Sequence, residues 1–247
     1  MAKEDELSSA KPLGLISEFR CNQSILEARH PFSLLHWDKS GAIWSEFSRK
    51  WPELESAKID PAHTQFILNN RYSIFTSIDK SGVIDLQPSK SGENAYAEII
   101  KDFFQIVIKY LEVSSFTRLG HRQQYFKQYK NQDQASASFF ATNLINVPSS
   151  SNFGIEELPV LPEVAMRWEN KKIGTTLRMK VEGIHHILDA PGSQVFTRQE
   201  IEETGIVIDV DYYTKVAISV GQLNIPIWLN QADQIIKRGV NKILGGK

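Results

Sequence analysis

Strict apolar–polar alternation is the feature that most limits what this chain can become. Ile173, Leu177, Met179 and Val181 share one parity, and Arg178, Lys180 and Glu182 share the other. Successive side chains of a strand point to opposite faces, so this run describes a strand with one buried face. The same period recurs in Phe66, Leu68, Tyr72, Ile74 and Ile78. Asp79, Lys80, Ser81 and Gly82 supply turn chemistry, and residues 83–86 return as the second arm of a hairpin. Residues 116–129 read as one long strand, and Ile206, Ile208 and Val210 mark another.

Helical spacing appears in separate places. Tyr96, Ile100, Phe103, Val107 and Tyr110 form the main stripe of a helix over residues 95–111, with Asn94 as its cap. An aromatic-rich stretch contains Phe32, Trp37, Trp44, Phe47 and Trp51. Within it, Ile43, Trp44, Phe47 and Trp51 recur at helical spacing up to Pro52, which describes one buried helix face. Thr197, Arg198, Gln199 and Glu200 fit a capping box, predicting a short helix that ends at Gly205. A final helix is expected from Ile225 and Pro226, with Trp228, Ala232, Ile235, Ile236, Val240, Ile243 and Leu244 on its apolar face.

Strands grouped with helices, without strict alternation of the two, predict an α+β fold of mainly antiparallel strands with long amphipathic helices. Residues 131–138 are polar, and residues 148–152 are linker-like. The expected division is an N-terminal unit over residues 1–147, a Pro/Ser-rich connection over 148–162 and a C-terminal unit over 163–247. The two sheet-and-helix units either pack together or share a sheet.

The single cysteine, Cys21, removes internal disulfides and multi-cysteine metal sites. Residues 15–21 read as a strand with Leu15, Phe19 and Cys21 on one side, so the thiol is expected to be buried and structural. The first six residues are charged and lack an apolar signal core, and no apolar run approaches the length of a membrane span. The expected location is the cytoplasm, without membrane contact. Lys plus Arg number 28 against 29 Asp plus Glu, which weakens any reading that depends on a cationic chain, nucleic-acid binding above all.

Two short runs carry a resemblance. Arg118, Leu119, Gly120, His121 and Arg122 are similar to the central strand Arg-Ile-Gly-Leu-Arg-Tyr-Ile-Asn-Arg-Ile of a sporadically distributed, uncharacterised bacterial protein family. Ile208, Asp209, Val210, Asp211 and Tyr212 resemble that family's Leu-Asp-Ile-Asp-aromatic strand. Gln123, Gln124 and Tyr125 depart from its Tyr-Ile-Asn. The resemblance implies a bacterial cytosolic protein of α+β fold and transfers no activity.

Two constellations are candidates for chemistry. Asp209 and Asp211 project from one face of a strand and could hold a hard cation, with His185 and His186 adding nitrogen ligands or a general base. That is the metal-dependent nuclease or phosphoesterase alternative. Alternating acids are also the ordinary wet side of an amphipathic strand. The second candidate is a nucleic-acid surface of Arg118, Arg122, Lys127 and Lys130 interleaved with aromatic residues. Here Arg118 and Arg122 share one parity while Lys127 has the other, so an unbroken strand divides the patch. No phosphate loop, dinucleotide fingerprint, His-Glu-x-x-His motif or nucleophile elbow occurs. The leading expectation is a non-catalytic bacterial binding or scaffold protein. It would act through a protein partner or as a homo-oligomer, in a multi-protein defence or regulatory system. No cofactor or metal is expected.

Overall fold

A computed structural model describes residues 13–60, 62–88, 93–145, 161–189 and 198–245. Strand β1 (Arg20–Arg29) leads to helix α1 (Leu35–Lys50), and four strands follow: β2 (Leu54–Asp60), β3 (His63–Leu68), β4 (Tyr72–Ser77) and β5 (Lys80–Asp85). Helix α2 (Glu93–Leu111) precedes β6 (Ser115–Phe116), β7 (Arg118–Gln128) and helix α3 (Gln132–Phe140). The chain then forms β8 (Glu163–Glu169), β9 (Ile173–Asp189), β10 (Arg198–Thr214), β11 (Ile218–Ser219) and helix α4 (Ile225–Ile243). Nine strands make one sheet in the order β2-β3-β4-β5-β1-β7-β10-β9-β8, while β6 and β11 pair separately. Every neighbouring pair is antiparallel. The protein is a mixed α+β fold.

Much of the expected connection, residues 148–160, lies outside the described residues. Strands on either side of it are neighbours, because β7 pairs with β10 from Gln128 opposite Gly205 to Gly120 opposite Tyr213. One sheet therefore runs through both expected units.

Cross-strand partners share a face, and Val83, Leu26, His121 and Tyr212 form one row across four strands. That face carries two apolar clusters. Ile43 and Phe47 of α1 and Ile100, Phe103 and Val107 of α2 pack with Leu26, Phe66, Ile74 and Val83. Ala135 and Phe139 of α3 pack with Leu177, Met179, Ile206 and Ile208. Helix α4 crosses between them: Ile225 and Leu229 join the first cluster, and Ala232, Ile236 and Val240 join the second. At the crossing lies a polar seam. Gln123 donates to Asp233 Oδ1 at 2.8 Å and accepts from the Tyr125 hydroxyl at 2.6 Å.

Several sequence expectations change in the fold. The run Phe66–Ile78 breaks at Asn69 and Asn70, whose φ angles of 55° and 51° suit a tight hairpin turn, so it makes β3 and β4. Residues 116–129 break at Thr117, whose amide donates to Arg29 O at 2.8 Å. Polar residues after Tyr129 form α3, capped by the Asn131 side chain accepting from the Gln134 amide at 2.9 Å. The helix expected after Thr197 is strand instead. Arg198 through Thr204 pair with β9 from Asp189 to Gly183, and long-range ladder bonds prevail over a local cap pattern. Leu15 is exposed and residues 16–18 form a 3-10 turn, so β1 begins only at Arg20.

Candidate functional site

The second face of the sheet carries the charged side chains. Arg118 and Arg122 of β7 and Asp209 and Asp211 of β10 all project there, opposite the buried Leu119, His121, Ile208 and Val210. Arg122 stands directly across from Asp211 in the register but grips Asp209. Its Nε and Nη2 donate to the two carboxylate oxygens at 2.7 and 2.5 Å. Arg118 makes a longer diagonal contact, its Nη2 donating at 2.6 Å to Oδ2 of Asp211, the residue that faces Arg122, and reaches Glu27 at 3.5 Å. Its guanidinium also lies 4.6 Å from the centre of the Tyr213 ring.

Gly120 makes this possible. A Cβ there would stand 2.7 Å from Arg118 Nη1, so the arginine folds back over the one position with no side chain to obstruct it. The runs Arg118–Arg122 and Ile208–Tyr212 are thus one object, adjacent strands laced by diagonal ion pairs. Burial leaves the Asp211 carboxyl above its ordinary value despite the lowering pull of the two arginines, while the bond to Asp209 raises Arg122. Farther along, Glu169 accepts from Lys215 at 2.8 Å and from the Tyr213 hydroxyl at 2.6 Å, and also pairs with Arg167. Those bonds, that of Lys215 foremost, hold its carboxyl at about 2.

Of the two candidate constellations, the structure keeps Asp209 with Asp211 and Arg118 with Arg122, and sets their other members apart. His185 and His186 lie opposite Glu202 and Ile201, whereas Asp209 lies opposite Arg178. Seven strand positions separate His185 from that row, about 23 Å at ~3.3 Å per residue, too far for one metal ion to join them. The side chains of His185 and His186 lie outside the described residues. Among the described residues, no group of three or more His, Cys, Asp or Glu side chains is placed to hold a metal ion.

The four cations of the basic strand separate as well. Lys127 points to the helix-covered face, where Nζ donates at 2.8 Å to Leu13 O and to Glu18 Oε2. Lys130 is exposed beyond the end of β7. Only Arg118 and Arg122 share a surface, and both hold carboxylates there.

Sequence reasoning missed an exposed apolar segment at the start of α1. Phe32, Leu34 and Trp37 are 63%, 57% and 54% exposed. The backbone beneath them is fixed. His30 N donates to Asp79 O at 2.9 Å and Ser33 N to Ile78 O at 2.8 Å, and the ring of His36 meets Thr76 O at 3.0 Å. His30 and His36 are buried, and burial lowers the His30 pKa. The signal was present in the aromatic-rich stretch, but it was absorbed into the helix face expected to be buried.

No family model and no curated protein matches the chain. Among the described residues, no helix is long and apolar enough to cross a membrane.

Proposed function

We propose that this is a non-catalytic bacterial binding protein of the cytoplasm that works by holding a protein partner, with Phe32, Leu34 and Trp37 as the contact. The observation that carries this reading is three large apolar side chains, each more than half exposed, within six residues. Single exposed apolar residues are ordinary, but a concentration of them marks an interaction surface. Tryptophan is a favoured anchor at such contacts. The hydrogen bonds beneath the segment reduce the ordering cost of binding, which also supports the reading. So does the commitment of Asp209 and Asp211 to arginines, because a metal-dependent enzyme would need those carboxylates free.

The proposal extends to a scaffold role in a multi-protein defence or regulatory system, on the family resemblance. It also treats the two apolar clusters as two sheet-and-helix units with long amphipathic helices, joined by α4. The test uses tagged wild type and a Phe32→Ser/Trp37→Ser variant as bait in the native cell, with mass spectrometry of what is retained. Analytical ultracentrifugation of both proteins follows self-association. A partner or second copy held by wild type and lost by a variant of unchanged melting temperature is the expected result. The same captured set and the same mass in both proteins would overturn it.

A further inference from the structure

The nine-stranded sheet ends on β2 at one side and on β8 at the other, and the two edges differ. An edge strand presents unpaired N–H and C=O groups, which proteins commonly blunt with a bulge. In β2 the register to β3 shifts between Ser56 and Lys58, so that edge is interrupted. β8 pairs with β9 without a shift, from Glu163 opposite Lys180 to Glu169 opposite Gly174. It is the regular edge.

The backbone groups that β8 offers follow from its two ends. Pro162 O accepts from Val181 N at 3.1 Å, and Asn170 N donates to Ile173 O at 2.9 Å. Bonded positions alternate along an antiparallel ladder, so Val164, Met166 and Trp168 also bond inward to β9. Glu163, Ala165, Arg167 and Glu169 turn their N–H and C=O away from the sheet. All four residues are exposed, and among the described residues these outward backbone groups have no partner. Pro162, which has no N–H to give, falls at an inward position and leaves the outer row complete.

The side chains select what can be added. Val164, Met166 and Trp168 lie on the helix-covered face, where the first two pack against the second apolar cluster and Trp168 is 47% exposed. An added strand must carry apolar residues on that face and polar residues on the other. β8 itself has this pattern. A second β8, related by a two-fold axis normal to the sheet, runs antiparallel to the first and keeps its apolar face on the same side.

Outward residues must then meet outward residues. Registers centred on Ala165, on Met166 or on Arg167 satisfy this with most of the strand paired. Centred on Met166, Glu163 opposes the second copy's Glu169 at both ends. Centred on Arg167, that arginine opposes its own copy. Centred on Ala165, Glu163 stands directly across from the second copy's Arg167 at both ends. Opposite charges across a strand pair stabilise it and like charges do the reverse, so the Ala165 register prevails. It also lays Val164 against Met166 and Pro162 against the exposed Trp168 ring. Arg167 bonds to Glu169 within the single chain, but Lys215 and Tyr213 hold that carboxylate without it.

We infer that a second copy of this chain adds to the β8 edge, antiparallel and centred on Ala165, so that two sheets become one. The contact is independent of the segment at Phe32 and Trp37, and either can fail without the other. A pairing of this length is well short of the roughly 20–30 residues a side of a standard interface, so association is reversible and in the micromolar range.

The test is sedimentation velocity of the full chain over a micromolar to millimolar concentration series, in which wild type should pass from monomer to dimer. Ala165→Pro removes an outward N–H at the centre of the pairing and no bond to β9. It should abolish the dimer and leave the melting temperature of dilute protein close to that of wild type. Glu163→Arg and Arg167→Glu each set like charges at both ends, and each should weaken self-association by roughly tenfold. Mixed in equal amounts, the two charge variants should form a heterodimer, because every end then joins opposite charges. In the Phe32→Ser/Trp37→Ser background the series should give the same pattern. The proline and charge routes are separate, so a variant that does not fold leaves the other decisive. Wild type that stays monomeric at millimolar concentration would overturn the inference. A dimer that Ala165→Pro leaves intact, one lost in the Phe32→Ser/Trp37→Ser background, or folded charge variants that do not associate when mixed would overturn it equally.

Discussion

Arg122 binds Asp209 on the diagonal and leaves Asp211, the residue directly across the strand from it, to Arg118. Each arginine thereby ties its strand diagonally to the neighbour, Arg122 to the residue opposite Gln124 and Arg118 to the residue opposite Arg122. A one-residue slip of β7 against β10 would break both contacts and turn every side chain of the slipped strand to the wrong face. The pairs thus act on register, at a joint where strands distant in sequence must find each other.

The Arg118→Ala/Arg122→Ala variant should be less stable by between ~1 and ~3 kcal/mol. Its pairs are intermediate between exposed ones, worth about 0–1 kcal/mol, and buried ones, whose rupture costs about 3–5. Denaturant melts measure this. Asp209→Asn/Asp211→Asn should lose a similar amount, and divalent cation should not raise the wild-type melting temperature. A cation-dependent rise that the double Asn variant abolishes would restore the metal site.

Gly120→Ala should act through Arg118 alone. The added methyl displaces the far end of a flexible side chain, so the expected cost is that of the lost Arg118 contacts, about 1–2 kcal/mol. In an Arg118→Ala background the same change should cost almost nothing, and the double-mutant cycle reads the difference. Additive effects would place the strain in the β7 backbone.

Phe103 is fully buried, with ring centroids 5.5 Å from Phe47 and 4.9 Å from Phe104. Phe103→Ala should lower stability by about 3–5 kcal/mol. An unchanged denaturant midpoint would mean that α2 presents another face to the sheet.

His121 supplies a pH dependence. Its Nδ1 meets Ile25 O at 3.2 Å, and burial holds the imidazole at about 4, below its ordinary 6.5. The unfolded chain therefore takes up the proton first. This contribution is complete above pH 6.5 and is lost as the pH falls through that value toward 4. The loss comes to about 3 kcal/mol, at ~1.4 kcal/mol per unit of pKa difference. His121→Gln should show a shallower fall across this window in urea melts. Burial lowers His30 and His63 in the same direction, so the comparison between the two proteins isolates the one ring. Parallel curves would show that His121 does not carry the effect.

Elements with a single strong period were legible in the sequence: the alternation around Leu177 in β9, the stripe from Tyr96 to Val107, and the helix start at Ile225 and Pro226. What escaped depended on partners elsewhere in the chain. Alternation runs unbroken through Asn69 and Asn70, so periodicity alone merged two strands, although the asparagine pair was the turn signal. The pattern Thr197 to Glu200 suits a helix start, but β9 offered that segment a ladder. At the site, parity placed Arg118 with Arg122 and Asp209 with Asp211. Their pairing was hidden because nothing local sets the register between strands so far apart in sequence. Trp37 and Trp44 lie two turns apart on one helix, yet Trp44 stacks on Phe66 at 5.0 Å while Trp37 stands exposed. Periodicity cannot say where a sheet ends.

The Ile16 amide donates to Asn241 Oδ1 at 2.7 Å, and Leu13 and Leu244 are buried in the same cluster. The earliest and latest described segments are thus fastened together, like the two ends of a belt. On the ribosome, Leu13 must wait for helix α4 before its surroundings exist, so the apolar residues of this cluster stay uncovered until that helix is made. Loops closed over such a span are slow to form, so the docking of these two segments should be a slow and cooperative step, with a demand on chaperones until it is complete.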